Sequence, residues 1–243
     1  MGDRINISNN SGSVSDVGSR STTYYGVPPA GSPEQAAEVP DGRPELALYG
    51  FADIVSYSQL NVRLQKLGQD DLVSFLDIGM AEAGVSPGQV AAQDQGDARL
   101  LTFPAGADVA KVLAVMPRSL NDELVARNRD MAEHARMRVR LAFSMGASTR
   151  GAAGLVGGAP IAVARIANSD VFRRAMRAAP EAQCGLLIDD YLHSQWVHQG
   201  FRADINADDY APVRISNPDK GFEARAWMKL FGYSGRQVSS LLD

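Results

Sequence analysis

Hydrophobic positions are spread unevenly along the chain, and their spacing divides it at about residue 45. Met1 to Thr23 is rich in Ser, Asn and Gly, with Ile5, Ile7, Val14 and Val17 standing alone. Pro28, Pro29, Pro33, Pro40 and Pro44 follow, five of the 12 prolines in the sequence. So little apolar surface cannot offset the entropy lost on ordering, so residues 1–45 are expected to form a disordered arm and linker. Residues 46–243 carry the patterning of a folded domain. Leu46 to Val55 is a short apolar run closed by a serine-rich turn, the pattern of a buried strand. Ser58 is placed to cap a helix in which Leu60, Leu64, Leu67, Leu72, Phe75, Leu76 and Met80 recur at helical spacing. Val85-Ser-Pro-Gly88 ends that helix.

Val90 to Gln93 and Arg99 to Phe103 predict a hairpin turned by Asp94-Gln-Gly-Asp97, and Pro104-Ala-Gly106 stops it. A second helical region spans Ala107 to His134, with an interruption expected near Pro117. Met137, Val139, Leu141, Phe143 and Met145 then alternate with Arg136, Arg138, Arg140, Ala142 and Ser144, the period of a strand with one apolar face. Gly146 to Gly158 is a glycine-rich connection with room for a short strand at Leu155-Val156. Pro160 opens a helix through Ile161, Val163 and Ile166, and Asn168-Ser169 can cap its continuation to Pro180. Cys184 to Ile188 reads as a strand, Tyr191 to His198 as a helix, and Val213 to Ile215 and Ala224 to Leu230 as closing strands. Mixed strands and helices in this order favour one α+β domain with helices packed on a sheet. No internal repeat is visible.

Composition narrows the function. The 243 residues carry 24 Lys+Arg against 28 Asp+Glu, a formal charge of -4, which gives no electrostatic case for nucleic-acid or anionic-membrane binding. The single cysteine, Cys184, excludes an intrachain disulfide and a thiolate-rich zinc site. No stretch approaches the ~20 apolar residues of a membrane helix. The first residues lack a charged-then-apolar leader pattern. A soluble, cytoplasmic protein is the expectation.

Two aspartates stand where structure alone does not ask for them. Asp53 closes an apolar strand and Asp97 sits in a tight hairpin turn. A carboxylate beside a core wants a cation, a donor cluster or exposure. On neighbouring strands the pair would make a hard-oxygen site suited to Mg²⁺ or Mn²⁺ with phosphate oxygens. The plainer alternative is turn chemistry at Asp97 and a helix-approach cap at Asp53. His134, His193 and His198 are too scattered for a metal cluster. The five-residue step between the last two misses the four-residue spacing that aligns ligands on a helix, so exposed or capping roles are expected. Gly151-Ala-Ala-Gly154 and Gly157-Gly158 lack the Gly-Lys-Ser/Thr of a phosphate loop and read as hairpin glycines. Cys184 is expected in the core. Trp196, Trp227, Phe201, Phe222, Phe231 and Tyr233 are expected to pack the C-terminal lobe. Asp189-Asp190 suit the first turn of the helix that follows.

Four segments in order carry a resemblance to a known family. Phe51-Ala-Asp53-Ile-Val-Ser-Tyr-Ser58 resembles the first metal-binding strand of class III adenylate/guanylate cyclases. Gly96-Asp97-Ala-Arg-Leu-Leu-Thr-Phe103 is similar to their second metal-binding hairpin. Met137 to Gly146 resembles the strand usually ending in His-x-Gly, and Val156 to Ile166 the helix bearing the family's Asn and Arg. The resemblance spans roughly residues 46 to 190. It implies a ferredoxin-like cyclase homology domain acting as a head-to-tail homodimer with composite sites. It further implies that Asp53 and Asp97, with Ile54 beside the first, hold two divalent ions, Mg²⁺ or Mn²⁺. The backbone amides of Ile54, Val55, Ser56 and Tyr57 would cradle phosphate. Arg165 would stabilise charge on the α-phosphoryl group.

Two departures accompany the match. The family's Asn falls on Ile161, which donates no hydrogen bond. The base-selecting positions fall on Gln93 and Gly154, neither the Lys/Asp nor the Glu/Cys pair of the adenine- and guanine-selecting enzymes. Two functions follow from the resemblance. One is a cyclase of a nucleoside triphosphate with another base, as in the pyrimidine cyclases of bacterial anti-phage signalling, whose product a partner effector protein would read. The other is an inactive pseudo-cyclase serving as a nucleotide-binding, dimerisation or regulatory module.

Overall fold

The computed structural model describes residues 44–151 and 154–242. The expected arm lies outside these residues except for Pro44 and Glu45, and Glu45 already belongs to the first strand. The elements run β1 (Glu45–Ile54), α1 (Val62–Glu82), β2 (Ala91–Asp94), β3 (Ala98–Thr102), α2 (Val109–Asn128) and β4 (Val139–Gly151). They continue with β5 (Gly154–Val156), α3 (Gly158–Ala167), α4 (Asp170–Ala178), β6 (Cys184–Asp189) and α5 (Asp190–Leu192). After a π-helical turn at His193–Val197 come β7 (Ala211–Asn217), β8 (Phe222–Leu230) and α6 (Gly235–Ser240).

The strands pair in the order β2-β3-β1-β4-β6-β8-β7, with β5 folded back on β4. Only β4 and β6 run parallel among these neighbours, joined by a crossover through β5, α3 and α4. Helices α1 and α2 cover one face over Leu48, Ala52, Leu101, Leu141 and Ile188. The crossover helices cover the other over Tyr49, Phe51, Leu100, Ala142 and Leu187.

That second layer revises one expectation. Alternation alone gives β4 a single apolar face, but with α3 and α4 above it both faces are closed, and Arg140 and Ser144 are buried. A buried guanidinium has to find a counter-charge, and this one finds Asp53.

Other elements differ locally. Asn61, not Ser58, caps α1: its Oδ1 accepts from the Leu64 amide at 3.0 Å, because Tyr57–Gln59 form a 3-10 turn first. α2 runs unbroken through Pro117. The proline forfeits one helix bond, and the buried Met116 and Leu120 beside it hold the turn against the sheet. α2 stops at Asn128, whose side chain pairs with both the amide and the carbonyl of Met137 at 2.8 and 2.7 Å. The short strand expected at Leu155-Val156 is β5. Cys184 is buried as expected, whereas Phe201, expected to pack, is 69% exposed.

The last helix before β7 holds a further correction. His193 is buried, not exposed. Its ring lies parallel to Trp227 with centroids 3.6 Å apart. The π turn, with the His198 amide bonded to the His193 carbonyl at 2.8 Å, converts the five-residue step into a single turn. The two imidazoles consequently stand 6.4 Å apart on one side. Burial, with the neighbouring His198, pushes the His193 pKa down to about 4, so its ring is neutral at pH 7.

Candidate functional site

β1 carries Asp53 to the rim of the sheet between two neighbours. In register it faces Ala98 on β3 and Arg140 on β4, so Asp97 is one residue from its cross-strand partner. The Ile54 amide donates to the Asp97 carbonyl at 3.1 Å and binds the hairpin turn to the strand end. Gln69 on α1 braces the same turn, its Nε2 donating to the Gly96 carbonyl at 2.7 Å. The Asp53 side chain is buried and Asp97 half-buried.

Arg140 holds both oxygens of Asp53, Nε donating to Oδ1 at 2.9 Å and Nη2 to Oδ2. Its Nη1 is buried with no partner among the described residues. Burial lifts the pKa of Asp53 to about 6, opposed by the charge and hydrogen bonds of Arg140, reinforced by the charge of Asp97 and opposed again by Arg173. Desolvation outweighs the pairing because the carboxylate is nearly cut off from water. Asp53 remains ionised at neutral pH and becomes protonated in mild acid.

The donor set at this rim fits a hard divalent cation. Asp53 at the end of β1 and Asp97 in the turn before β3 would supply carboxylate oxygen, and the guanidinium leaves Asp53 with lone pairs still available. No cluster of three or more His, Cys, Asp or Glu residues exists among the described residues, so water or a ligand's oxygens would complete the shell, the manner in which Mg²⁺ is usually held. The orphaned Nη1 of Arg140 beside these acids suits an anion accompanying the metal.

The turn after Asp53 is only partly available as a phosphate cradle. The amides of Ile54 and Val55 are spent on the sheet, donating to the carbonyls of Asp97 (3.1 Å) and Arg138 (2.8 Å). Ser56 takes a left-handed conformation with φ 59°, the one positive-φ residue other than glycine among the described residues. No hydrogen bond engages the amides of Ser56 and Tyr57 among the described residues. Of the four expected amides, these two remain.

The other expected residues gather elsewhere. Gln93, Ile161 and Arg165 line one cleft of about 800 Å³ between the β2 edge, α3 and the β7 end. Ile161 is 52% exposed. The Arg165 guanidinium lies 5.2 Å from the centroid of the Phe222 ring. Asp53 and Asp97 do not line this cleft. Gly154 stands on β5 opposite Gly151. Among the described residues, the acids thus belong to one locus and Arg165 with Gln93 to another.

Sequence reasoning missed Arg140. Its signal was present, an arginine in an apolar alternation that must pair with a strand ending in a buried acid, but the pairing depends on strand order. The same reasoning placed Asp189 at the start of the helix after β6 but did not foresee its contact with β4. Ser144 donates from Oγ to Asp189 Oδ2 at 2.7 Å, and the Met145 amide donates to the same oxygen at 2.9 Å. The other Asp189 oxygen accepts from the Leu192 amide at 2.7 Å and caps α5, as its place in the first turn suggested.

No family model matches the sequence, and no curated protein matches it significantly. Solved structures do match the fold. An adenylate/guanylate cyclase/hydrolase from Silicibacter pomeroyi superposes with a TM-score of 0.55 at 16% identity, over 79% of this chain and 100% of that one. A bacterial light-regulated adenylyl cyclase gives 0.53 at 12% identity, over 82% and 97%. The catalytic core of a rhodopsin-guanylyl cyclase with converted specificity, in complex with ATPalphaS, gives 0.50 at 16% identity, over 76% and 95%. The chain has the α+β fold of adenylate/guanylate cyclase domains, as the four ordered segments implied. Among the described residues no helix is long and apolar enough to cross a membrane.

Proposed function

We propose that the protein is a nucleotide cyclase, converting a nucleoside triphosphate to a 3′,5′-cyclic nucleotide and pyrophosphate in a site shared between two copies of the chain. The observation that carries this reading is Asp53 and Asp97 at adjoining strand ends of a cyclase fold, with the turn amides of Ser56 and Tyr57 immediately beyond. The location of Arg165 and Gln93 in a separate cleft supports the shared site, because one copy's acids would need the arginine of the other.

Asp53 and Asp97, with the carbonyl of Ile54, would hold Mg²⁺ or Mn²⁺. When bound, the metal supplies charge neutralisation at the phosphates and a lowered pKa for a coordinated hydroxyl. The ribose 3′-oxygen forms a bond to the α-phosphorus as the bond from that phosphorus to the bridging β-phosphate oxygen breaks. Pyrophosphate leaves with that electron pair, and the hydroxyl proton passes to solvent. Ser56 and Tyr57 amides orient the phosphate chain. Arg165 donates to the α-phosphoryl oxygens as their charge grows. Gln93 and Gly154 shape the base pocket. Gln93 both donates and accepts, so it suits bases other than those read by an acid or a lysine, a pyrimidine among them. A pyrimidine product would fit a role in defence signalling through an effector protein.

One observation favours a second reading. Ile161 presents a methyl-bearing side chain to the cleft where a donor is expected, and losing an oriented donor costs about 2.7–4 kcal/mol at a transition state. An inactive nucleotide-binding or dimerisation module follows if no other group replaces it.

Incubation of the full chain with Mn²⁺ and each of the four ribonucleoside triphosphates, followed by assay of pyrophosphate and cyclic product, separates the two. Turnover abolished by Asp53→Asn and reduced about 10²-fold or more by Arg165→Ala is expected. Mixing those two variants should restore part of the activity, since a mixed dimer keeps one intact site. No turnover by folded, dimeric protein overturns the enzyme reading.

A further inference from the structure

Among the residues that α3 and its C-cap present to the cleft, Ile161, Arg165 and Asn168 recur at steps of four and three. Such spacing aligns them along one helix face. The first is apolar and the second lies over an aromatic ring, so at the α3–α4 junction the polar groups are Asn168 and Ser169, whose Oγ is buried with no partner among the described residues. Asn168 is fixed at both ends of its amide. Its Nδ2 donates to the Ala164 carbonyl at 3.1 Å, and its Oδ1 accepts from Nη2 of Arg173 at 3.2 Å. Arg173, on α4, lines the same cleft. Its remaining acidic contact is loose, Nη1 to Asp170 Oδ1 at 3.7 Å, with the Asp170 side chain 93% exposed. So open a contact contributes little and leaves donors of the guanidinium for a ligand.

Three cations, Arg165, Arg173 and Lys220, face this cleft against two carboxylates, Asp170 and Asp219. Arg173 differs from the other two in that an amide oxygen, Asn168 Oδ1, accepts from its guanidinium.

We propose that Arg173 is a polyphosphate-binding residue of this cleft, set in place by Asn168, and that it takes the phosphate chain of a nucleoside triphosphate. The assignment of that ligand rests on the nucleotide reading above. The anion chemistry rests on Arg173 itself: a planar fork of donors matches two phosphate oxygens, and an amide acceptor fixes its orientation in advance. Asn168 is a positioning residue, since it reaches the ligand only through Arg173.

Isothermal titration of the full chain in EDTA tests this, with inorganic tripolyphosphate, each nucleoside triphosphate and the corresponding nucleosides as probes. Wild-type protein should bind tripolyphosphate and the triphosphates. Arg173→Ala should weaken both by about tenfold or more, the loss expected for one charge-assisted contact, while any nucleoside affinity stays unchanged. Arg173→Lys should recover part of the loss, and Asn168→Ala should weaken binding by a smaller factor, through orientation alone. Thermal melting of each variant checks that the fold is intact. Equal tripolyphosphate affinity in wild type and Arg173→Ala, or no polyanion binding by the wild type, overturns the proposal. Arg173-dependent binding without any turnover leaves it standing while the cyclase reading fails. Turnover with a KM indifferent to Arg173 has the opposite consequence.

Discussion

Replacing Arg140 by Met probes the buried pair around which the candidate site is built. Asp53 is 4% exposed, and its pKa stands at about 6 against an ordinary 3.8. A rise of that size corresponds to about 3 kcal/mol. The sign follows from which state holds the proton more tightly. Between pH 3.8 and 6 the folded protein retains the Asp53 proton while the unfolded chain has lost it. Asp53 therefore makes its full contribution to stability below the lower value, loses it as pH rises toward the upper one, and stays flat beyond. Removing Arg140 deletes both hydrogen bonds and the strongest attraction opposing the rise, so the pKa moves higher still. Near pH 8 the variant keeps a buried carboxylate without its counter-charge, at a cost of about 3–5 kcal/mol. At pH 5 the carboxyl accepts a proton and much of that cost vanishes. Urea unfolding at both pH values, with Asp53→Asn to isolate this group from other carboxylates, measures the difference. An equal loss at pH 5 and pH 8 would refute the reasoning.

Other outcomes follow from single contacts. Mn²⁺ affinity should weaken as pH falls through about 6, where metal-free Asp53 gains a proton that the ion must displace, and an affinity level down to pH 5 would contradict a metal role for that group. Arg165→Ala should reduce turnover by about 10²-fold or more, as expected for a lost transition-state donor, yet cost stability no more than about 1 kcal/mol, since the guanidinium rests on the face of Phe222. Gly185→Ala places a Cβ 2.7 Å from Met176 Sδ and Phe172 Cε2, so thermal unfolding should report a loss of about 1–3 kcal/mol. Asn61→Ala removes the α1 cap, and about 1 kcal/mol should be lost in urea unfolding.

Arg140 shows where sequence reasoning stops. Alternation places it on a strand and assigns it to an open face, because β4 in isolation has one apolar side. Burial on both sides comes from α3 and α4, whose crossover no local pattern of β4 encodes. His193 shows the same limit at shorter range. A five-residue step separates two side chains on an α-helix, and only the π turn, held by packing on Trp227, brings them to one side. Asn168 was legible as a helix cap, but Arg173 was not singled out, and their meeting over the cleft depends on how α4 follows α3.

The sequence by itself determined most of the elements from β1 to β8 and their order, though not α6 or the unbroken α2, because strand and helix periods and turn residues act over a few positions. The Phe51-Ala-Asp53 and Gly96-Asp97 segments also marked the two acids as a pair. The tertiary structure alone decided which charge answers Asp53, which turn amides remain free of the sheet, and that Gln93 and Arg165 share a cleft apart from the acids. These are properties of strand order and helix placement, where residues 87 positions apart, such as Asp53 and Arg140, become neighbours. Burial then raises the cost of leaving either charge alone, and no window of sequence contains that cost.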